Sequence, residues 1–298
     1  MTTAKLPQTQ ASKLWLAAIK PPIYTVAIIP IIVGTALAFA ENKVFYPGRF
    51  WTFLMGAILL IAWMNLSNDV FDAETGIDKN KPHSVVNLTG KKTLIFWLSN
   101  CCLLLGMLAI GIISWWQKDW TVLGLIILAN SLAYTYQGPP FRFGYRGWGE
   151  IICFLCFSIA TMAACYSQGG NFSAMSWAAA TIISLSTAII LFCSHFHQVE
   201  DDLAAGKLSP IVRLGTARGS QVLTGACITM FLLVLLYILL GYFPKATLIS
   251  FLSLPFAYQL VRHVHLYRDI PEKVKNLKFL AVNLHFTNGI LLALGFLI

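Results

Sequence analysis

The stretch MSWAAATIISLSTAIILFCSHFHQVEDDLAAGK, Met175–Lys207, decides how the rest of the chain is read. Its opening run, Met175–Ser194, carries no charged side chain. About 20 such residues are what an α-helix needs to cross the hydrocarbon layer of a bilayer. Glu200, Asp201 and Asp202 follow at once, then Gly206 as a stop signal and Lys207. Carboxylates at a membrane edge are costly, which marks them as functional candidates.

The same pattern occurs earlier. The apolar run Phe50–Ser67 leads into NDVFDAETGIDKNK, Asn68–Lys81. Seven further runs complete the set: Ile23–Ala40, Thr93–Trp115, Trp120–Tyr136, Ile151–Ser167, Val222–Phe243, Ala246–Val261 and Phe279–Ile298. They account for a composition that is 57% hydrophobic and only 11% charged, where soluble domains carry about 25% charge. A disordered chain, a coiled coil, a disulfide scaffold and almost any soluble enzyme are excluded. Backbone groups in lipid must bond within their own segment, so the runs are helices; their unbroken apolarity argues against a membrane β-barrel. The expectation is an all-α, polytopic membrane protein with nine transmembrane helices. It is one membrane-embedded domain over 1–298, preceded by a polar stretch at 1–20. Cys153 and Cys156 form C-x-x-C but lie in a charge-free run and read as packing residues.

The chain has 21 Lys and Arg against 12 Asp and Glu, a formal charge of +9. In a soluble protein this would suggest nucleic acid. On the nine-span map, only Lys43, Arg49, Lys118 and Lys245 fall on one side of the membrane, and the other 17 basic residues fall on the opposite side. That bias puts the N-terminus in the cytoplasm and makes the charge a matter of topology, with no nucleic-acid partner.

Seven of the 12 acids sit in the two clusters, Asp69, Asp72, Glu74 and Asp78 and then Glu200, Asp201 and Asp202. Asn65, Asn68, Asp69 and Asp72 recur at i, i+3, i+4 and i+7, one helical face. Gln198, Asp201 and Asp202 share another. Gly76 ends the first helix and leaves Asp78 on a loop. Converging carboxylates stay ionised only around positive charge. Hard oxygen ligands without His or Cys select Mg²⁺-like ions, with phosphates completing the shell. With Lys79, Lys81, Lys207 and Arg213 nearby, the pattern reads as a Mg²⁺–diphosphate site. A cation-coupled membrane transporter is the alternative of another class, although such sites lie near the midplane.

These two stretches resemble the signature motifs of the UbiA superfamily of intramembrane aromatic prenyltransferases, which follow helices 2 and 6 of nine. The match runs over essentially the whole chain. Asn68 and Asp72 fit the first motif, with Gly76 at its third acidic position. Asp202 fits the end of the second motif, whose first Asp is here Gln198. TGIDKNKPHSVVNLTG (Thr75–Gly90) and HQVEDDLAAGKLSPIVRLGT (His197–Thr216) resemble the plant and cyanobacterial branch that attaches a phytyl chain to 1,4-dihydroxy-2-naphthoate on the way to phylloquinone. YQGPPFRFGYRGWGE (Tyr136–Glu150) is similar to the family's connector between helices 4 and 5.

The resemblance implies Mg²⁺-dependent transfer of a prenyl group from its diphosphate to an aromatic acceptor in a bacterial or plastid membrane, with loss of CO₂. It implies metal ligands at Asn68, Asp69, Asp72, Asp201 and Asp202, and a leaving group neutralised by Lys81 and Lys207. Asp78, Lys79, Arg142, Arg213, Gln198 and Glu200 are expected around the substrates, and Tyr134, Tyr136 and Tyr145 beside the carbocation. Homogentisate or a chlorophyllide are the alternative acceptors. Glu150, opening a charge-free run, is expected to be functional without an assignable role. His195 and His197 are expected to bond at a helix end rather than to a metal.

Overall fold

A computed structural model describes Trp15 and residues 21–77 and 84–298. The polar N-terminal stretch, Trp15 apart, and Asp78, Lys79 and Lys81 therefore lie outside the described residues. In chain order the α-helices are α1 (Thr25–Asn42), α2 (Pro47–Thr75), α3 (Val85–Thr89), α4 (Lys92–Gln117), α5 (Thr121–Gln137) and α6 (Gly149–Ser167). They continue with α7 (Ala174–Ser194), α8 (Val199–Ala204), α9 (Pro210–Leu239), α10 (Leu254–Tyr267), α11 (Pro271–Val274) and α12 (Leu277–Leu297). No strand forms among the described residues.

Among the described residues, seven helical segments are long and apolar enough to cross a membrane. The other two expected runs behave differently. Trp120–Tyr136 becomes α5, at 17 residues. Ala246–Val261 is split between a nine-residue 3₁₀ segment, Lys245–Ser253, and α10. Pro255 at the start of α10 lacks an N–H, which suits a helix N-terminus and fits the break there. Both runs occupy the positions expected of spans: α5 matches its run in length but is short for a membrane crossing, and the later run is divided between two helical types.

The bundle is layered around α7. Of the apolar window in the segment Ala174–His197, 78% is buried, against 22% for α4. α4 turns Leu104 and Trp115 outward, as a lipid-facing helix should. Small residues let backbones approach. A Cβ placed on Gly34 of α1 would lie 2.6 Å from the Thr161 carbonyl of α6. Helix–helix contact in lipid relies on this kind of close packing. One helix is broken: within α9, Gly215 adopts φ 75°, ψ 160°, a conformation available in practice only to glycine. The turn Pro210–Leu214 is thereby set off from the membrane-length remainder.

Candidate active site

α2 runs without a break to Thr75, and Gly76, in the left-handed conformation, ends it. Its last turns therefore carry Asn65, Asn68, Asp69 and Asp72 down one side, and all four line one cavity. Asp69 is 2% exposed, and its Oδ2 accepts the Val85 N–H at 2.7 Å. This carboxylate caps α3, whose own cap residue, Ser84, makes no side-chain bond to the helix. Asp72 accepts from the Gln137 side-chain amide and, at 3.4 Å, from the Tyr145 hydroxyl. Tyr145 and Thr75 share a hydrogen bond of 2.6 Å. Burial, the largest influence, raises the pKa of Tyr145, and the neighbouring Asp72 charge acts in the same direction.

The second cluster is built on a change of helical type. α7 gives way to a 3₁₀ turn at His195–His197, and α8 begins at Val199. Asp202 is fully buried. Its Oδ1 is 3.4 Å from Lys207 Nζ and its Oδ2 is 3.3 Å from His195 Nδ1. His195 Nε2 lies 3.3 Å from Glu150 Oε1 at the start of α6. Glu150, His195, Asp202 and Lys207 thus form a buried row of alternating acid and base. Burial pushes the Asp202 pKa up, but His195 and Lys207 pull harder, and the net result lies below the ordinary aspartate value.

Both clusters face a single cavity of about 450 Å³. Of the residues expected at the site, Asn68, Asp69, Asp72, Tyr136, Gln198, Asp201, Asp202 and Lys207 line it. Tyr145 reaches it through Asp72. Four others are engaged elsewhere. The Tyr134 hydroxyl donates to the Pro139 carbonyl at 2.8 Å. Arg142 pairs with Glu74 at 3.5 Å. Arg213 donates to the Arg146 carbonyl at 2.6 Å and so ties down the Phe143–Arg146 turn. Glu200 is exposed and is not part of the lining. The cavity also takes Gln137, His195, Lys275 and Lys278, which were not expected as site residues. His195 stands at a helix end, at ion-pair distance from two carboxylates. Gln137 gives no signal in sequence, because one amide closing an apolar run looks like an ordinary helix terminus.

Among the described residues, no three His, Cys, Asp or Glu side chains gather into a ready-made metal cage. The oxygen donors stand on separate walls instead. That arrangement suits Mg²⁺, which keeps several waters and takes one or two carboxylates while substrate phosphates fill the remaining positions. Both Asp202 oxygens are shielded from solvent and meet their partners only at ion-pair distance, which fits a role toward an incoming cation.

A second, apolar pocket of about 70 Å³ adjoins the first, and Ile61, Met64 and Phe157 belong to both linings. Ala57, Ala129, Ala133 and Ala160 contribute small side chains to it. The site therefore joins a charged chamber at the ends of the helices to an apolar annex among α1, α2, α5 and α6.

The family model of the UbiA prenyltransferase family matches residues 27–287. The chain belongs to this family. A relative from Synechocystis, 2-carboxy-1,4-naphthoquinone phytyltransferase, is 56% identical over 95% of this chain and 93% of its own. The chloroplastic enzyme of that name from Arabidopsis thaliana is 38% identical, over 96% of this chain and 78% of its own. Among solved structures, a UbiA homolog from Archaeoglobus fulgidus aligns with a TM-score of 0.65 at 16% identity, over 95% of this chain and 98% of that one. The same homolog bound to DMAPP and Mg²⁺ aligns with a TM-score of 0.61 at 15% identity, over 92% and 98%. This UbiA member is thus an integral membrane protein, and its acids sit at helix ends as in an intramembrane prenyltransferase rather than at the midplane of a transporter.

Proposed function

We propose that this UbiA protein transfers a prenyl group, phytyl in particular, from its diphosphate to 1,4-dihydroxy-2-naphthoate, releasing diphosphate and CO₂. The observation that carries this reading is the convergence of the α2 and α8 carboxylates on one cavity with an apolar annex. The similarity to two naphthoquinone phytyltransferases supports the choice of donor and acceptor. Asn68, Asp69, Asp72, Asp201 and Asp202 would hold Mg²⁺, which when bound screens the diphosphate and makes it a better leaving group.

The chain's own residues do the rest. Lys207, held against Asp202, presents a cation to the departing diphosphate. Asp78, Lys79 and Lys81 follow α2 in the sequence and are assigned to the diphosphate on this reading. Tyr136 lines the cavity and offers a π-face to the allylic cation. Tyr145 steadies Asp72, and Gln198 stands beside Asp201 at the metal edge. The annex gives the start of the isoprenoid chain an apolar wall and keeps water from the cation. With the N-terminus read as cytoplasmic from the charge bias, the ends of α2 and α7 and the chamber between them face the cytoplasm.

The test is an assay of membranes containing the full chain with Mg²⁺, phytyl diphosphate and either dihydroxynaphthoate or homogentisate. Prenylated naphthoate is the expected product. Product from homogentisate alone would change the acceptor, and no Mg²⁺-dependent product from any acceptor would end the enzyme reading.

A further inference from the structure

We propose that Tyr145 is a positioning residue that holds the two charged walls of the cavity at a fixed spacing, and so sets how well they grip Mg²⁺ and a diphosphate together. The proposal rests on the prenyltransferase reading above. Tyr145 does not line the cavity. It stands behind it, half-buried in the 3₁₀ turn Phe143–Arg146 between α5 and α6, and touches both walls.

Its hydroxyl belongs to the α2 wall, 2.6 Å from Thr75 Oγ1 and 3.4 Å from Asp72 Oδ1. Thr75 Oγ1 donates its own proton to the Asp72 carbonyl at 3.1 Å, so the Tyr145 proton is shared between Thr75 and Asp72. The rest of the residue belongs to the opposite wall, built by α8 and the residues after it. The Tyr145 carbonyl accepts the Leu208 N–H at 2.8 Å, and Lys207 Nζ stands 5.9 Å over the ring. Lys207 in turn pairs with Asp202 at 3.4 Å. One stiff aromatic side chain therefore runs from Asp72 to the Lys207–Asp202 pair. Two further groups act at the same place. Arg142, whose charge reaches the Tyr145 hydroxyl, is paired with Glu74 at 3.5 Å. Gln137 also donates to Asp72, from α5, so loss of the Tyr145 hydroxyl leaves Asp72 bonded but no longer tied to the wall across the cavity. Asp72 and Asp202 carry like charges, and their repulsion drives the walls apart until a cation enters. Groups that orient metal ligands from behind are worth about 10–100-fold in metal affinity or activity.

The experiment compares the full-length wild type with Tyr145→Phe, Thr75→Val, Thr75→Ser, Lys207→Gln and the Tyr145→Phe/Lys207→Gln pair. Purified protein is titrated calorimetrically with the Mg²⁺ complex of inorganic diphosphate. Membranes are assayed for the KM of phytyl diphosphate and of 1,4-dihydroxy-2-naphthoate. Tyr145→Phe keeps the ring and the turn, and should raise the Kd for Mg²⁺–diphosphate and the KM for phytyl diphosphate about tenfold. Thr75→Val should raise them about threefold, and Thr75→Ser, which keeps the hydroxyl, should restore them. The KM for the naphthoate should move less than about twofold throughout. In the Lys207→Gln background the Tyr145→Phe effect should shrink below about threefold, because the strut then has lost what it positions. A Tyr145→Phe effect that multiplies in full with Lys207→Gln would confine Tyr145 to Asp72 and overturn the proposal. Unchanged diphosphate binding, or equal rises in both KM values, would overturn it too. A wild type that binds Mg²⁺–diphosphate but prenylates no acceptor would remove the underlying reading, while the calorimetry would still decide the strut.

Discussion

At the scale of single residues, the row Glu150–His195–Asp202–Lys207 is the most consequential feature. Two buried carboxylates share one imidazole, each at 3.3 Å. Replacing His195 by Ala removes the imidazole that both acids share. Leaving a buried polar group without its partner costs about 1–3 kcal/mol, so the variant should melt below wild type in detergent, as read by differential scanning fluorimetry. Asp202 also has a pH signature. Its folded pKa is depressed, so its contribution to stability is present above the unfolded aspartate value of about 3.9 and fades as pH falls through the lower folded value. Asp202→Asn should therefore flatten the acid limb of a stability–pH curve. Asp72→Ala and Asp202→Ala should each lower prenyl transfer by about 10²-fold or more. Asp119→Ala should stay active, because Asp119 bonds Tyr166 and Thr121 away from the cavity.

At the scale of elements, the ends of α2 and α7 are legible in sequence because acids beside an apolar run cost energy and so stand out. Asn65, Asn68, Asp69 and Asp72 share a face as their spacing requires, and Gly76 stops the helix where expected. What was not legible depends on contacts distant in sequence. Arg142 and Arg213 look like anion ligands until Glu74 and the Arg146 carbonyl are seen to occupy them. Lys275 and Lys278 look like topology markers until the α11–α12 junction brings them to the cavity. Asp69 reads only as a ligand, yet it caps α3. Asp69→Asn should keep much of that cap and Asp69→Ala should lose about 0.5–2 kcal/mol, measurable as faster proteolysis near Val85. Gly34→Leu should force α1 from α6 at the Thr161 carbonyl and cost about 1–3 kcal/mol in thermal unfolding.

At the scale of the whole molecule, composition alone indicates a helical membrane protein, and the charge bias suggests a side. Helix lengths were less legible, since apolarity does not say where a 3₁₀ segment replaces an α-helix, as at Lys245–Ser253. Chelating divalent ions should abolish transfer, with activity returning on Mg²⁺ addition, while the melting temperature changes little because no cage of ligands forms among the described residues. The break at Gly215 carries a consequence for the lipid around the protein. A rigid α9 of 30 residues would measure about 45 Å, longer than the hydrocarbon layer by about half. With the first turn set aside, the remainder can tilt to match bilayers of different thickness without dragging Asp202 with it. Activity reconstituted in lipids of increasing acyl length should vary little for wild type and steeply for Gly215→Ala. In this sense a single glycine acts as a suspension joint, insulating the chemistry from the thickness of the membrane that carries it.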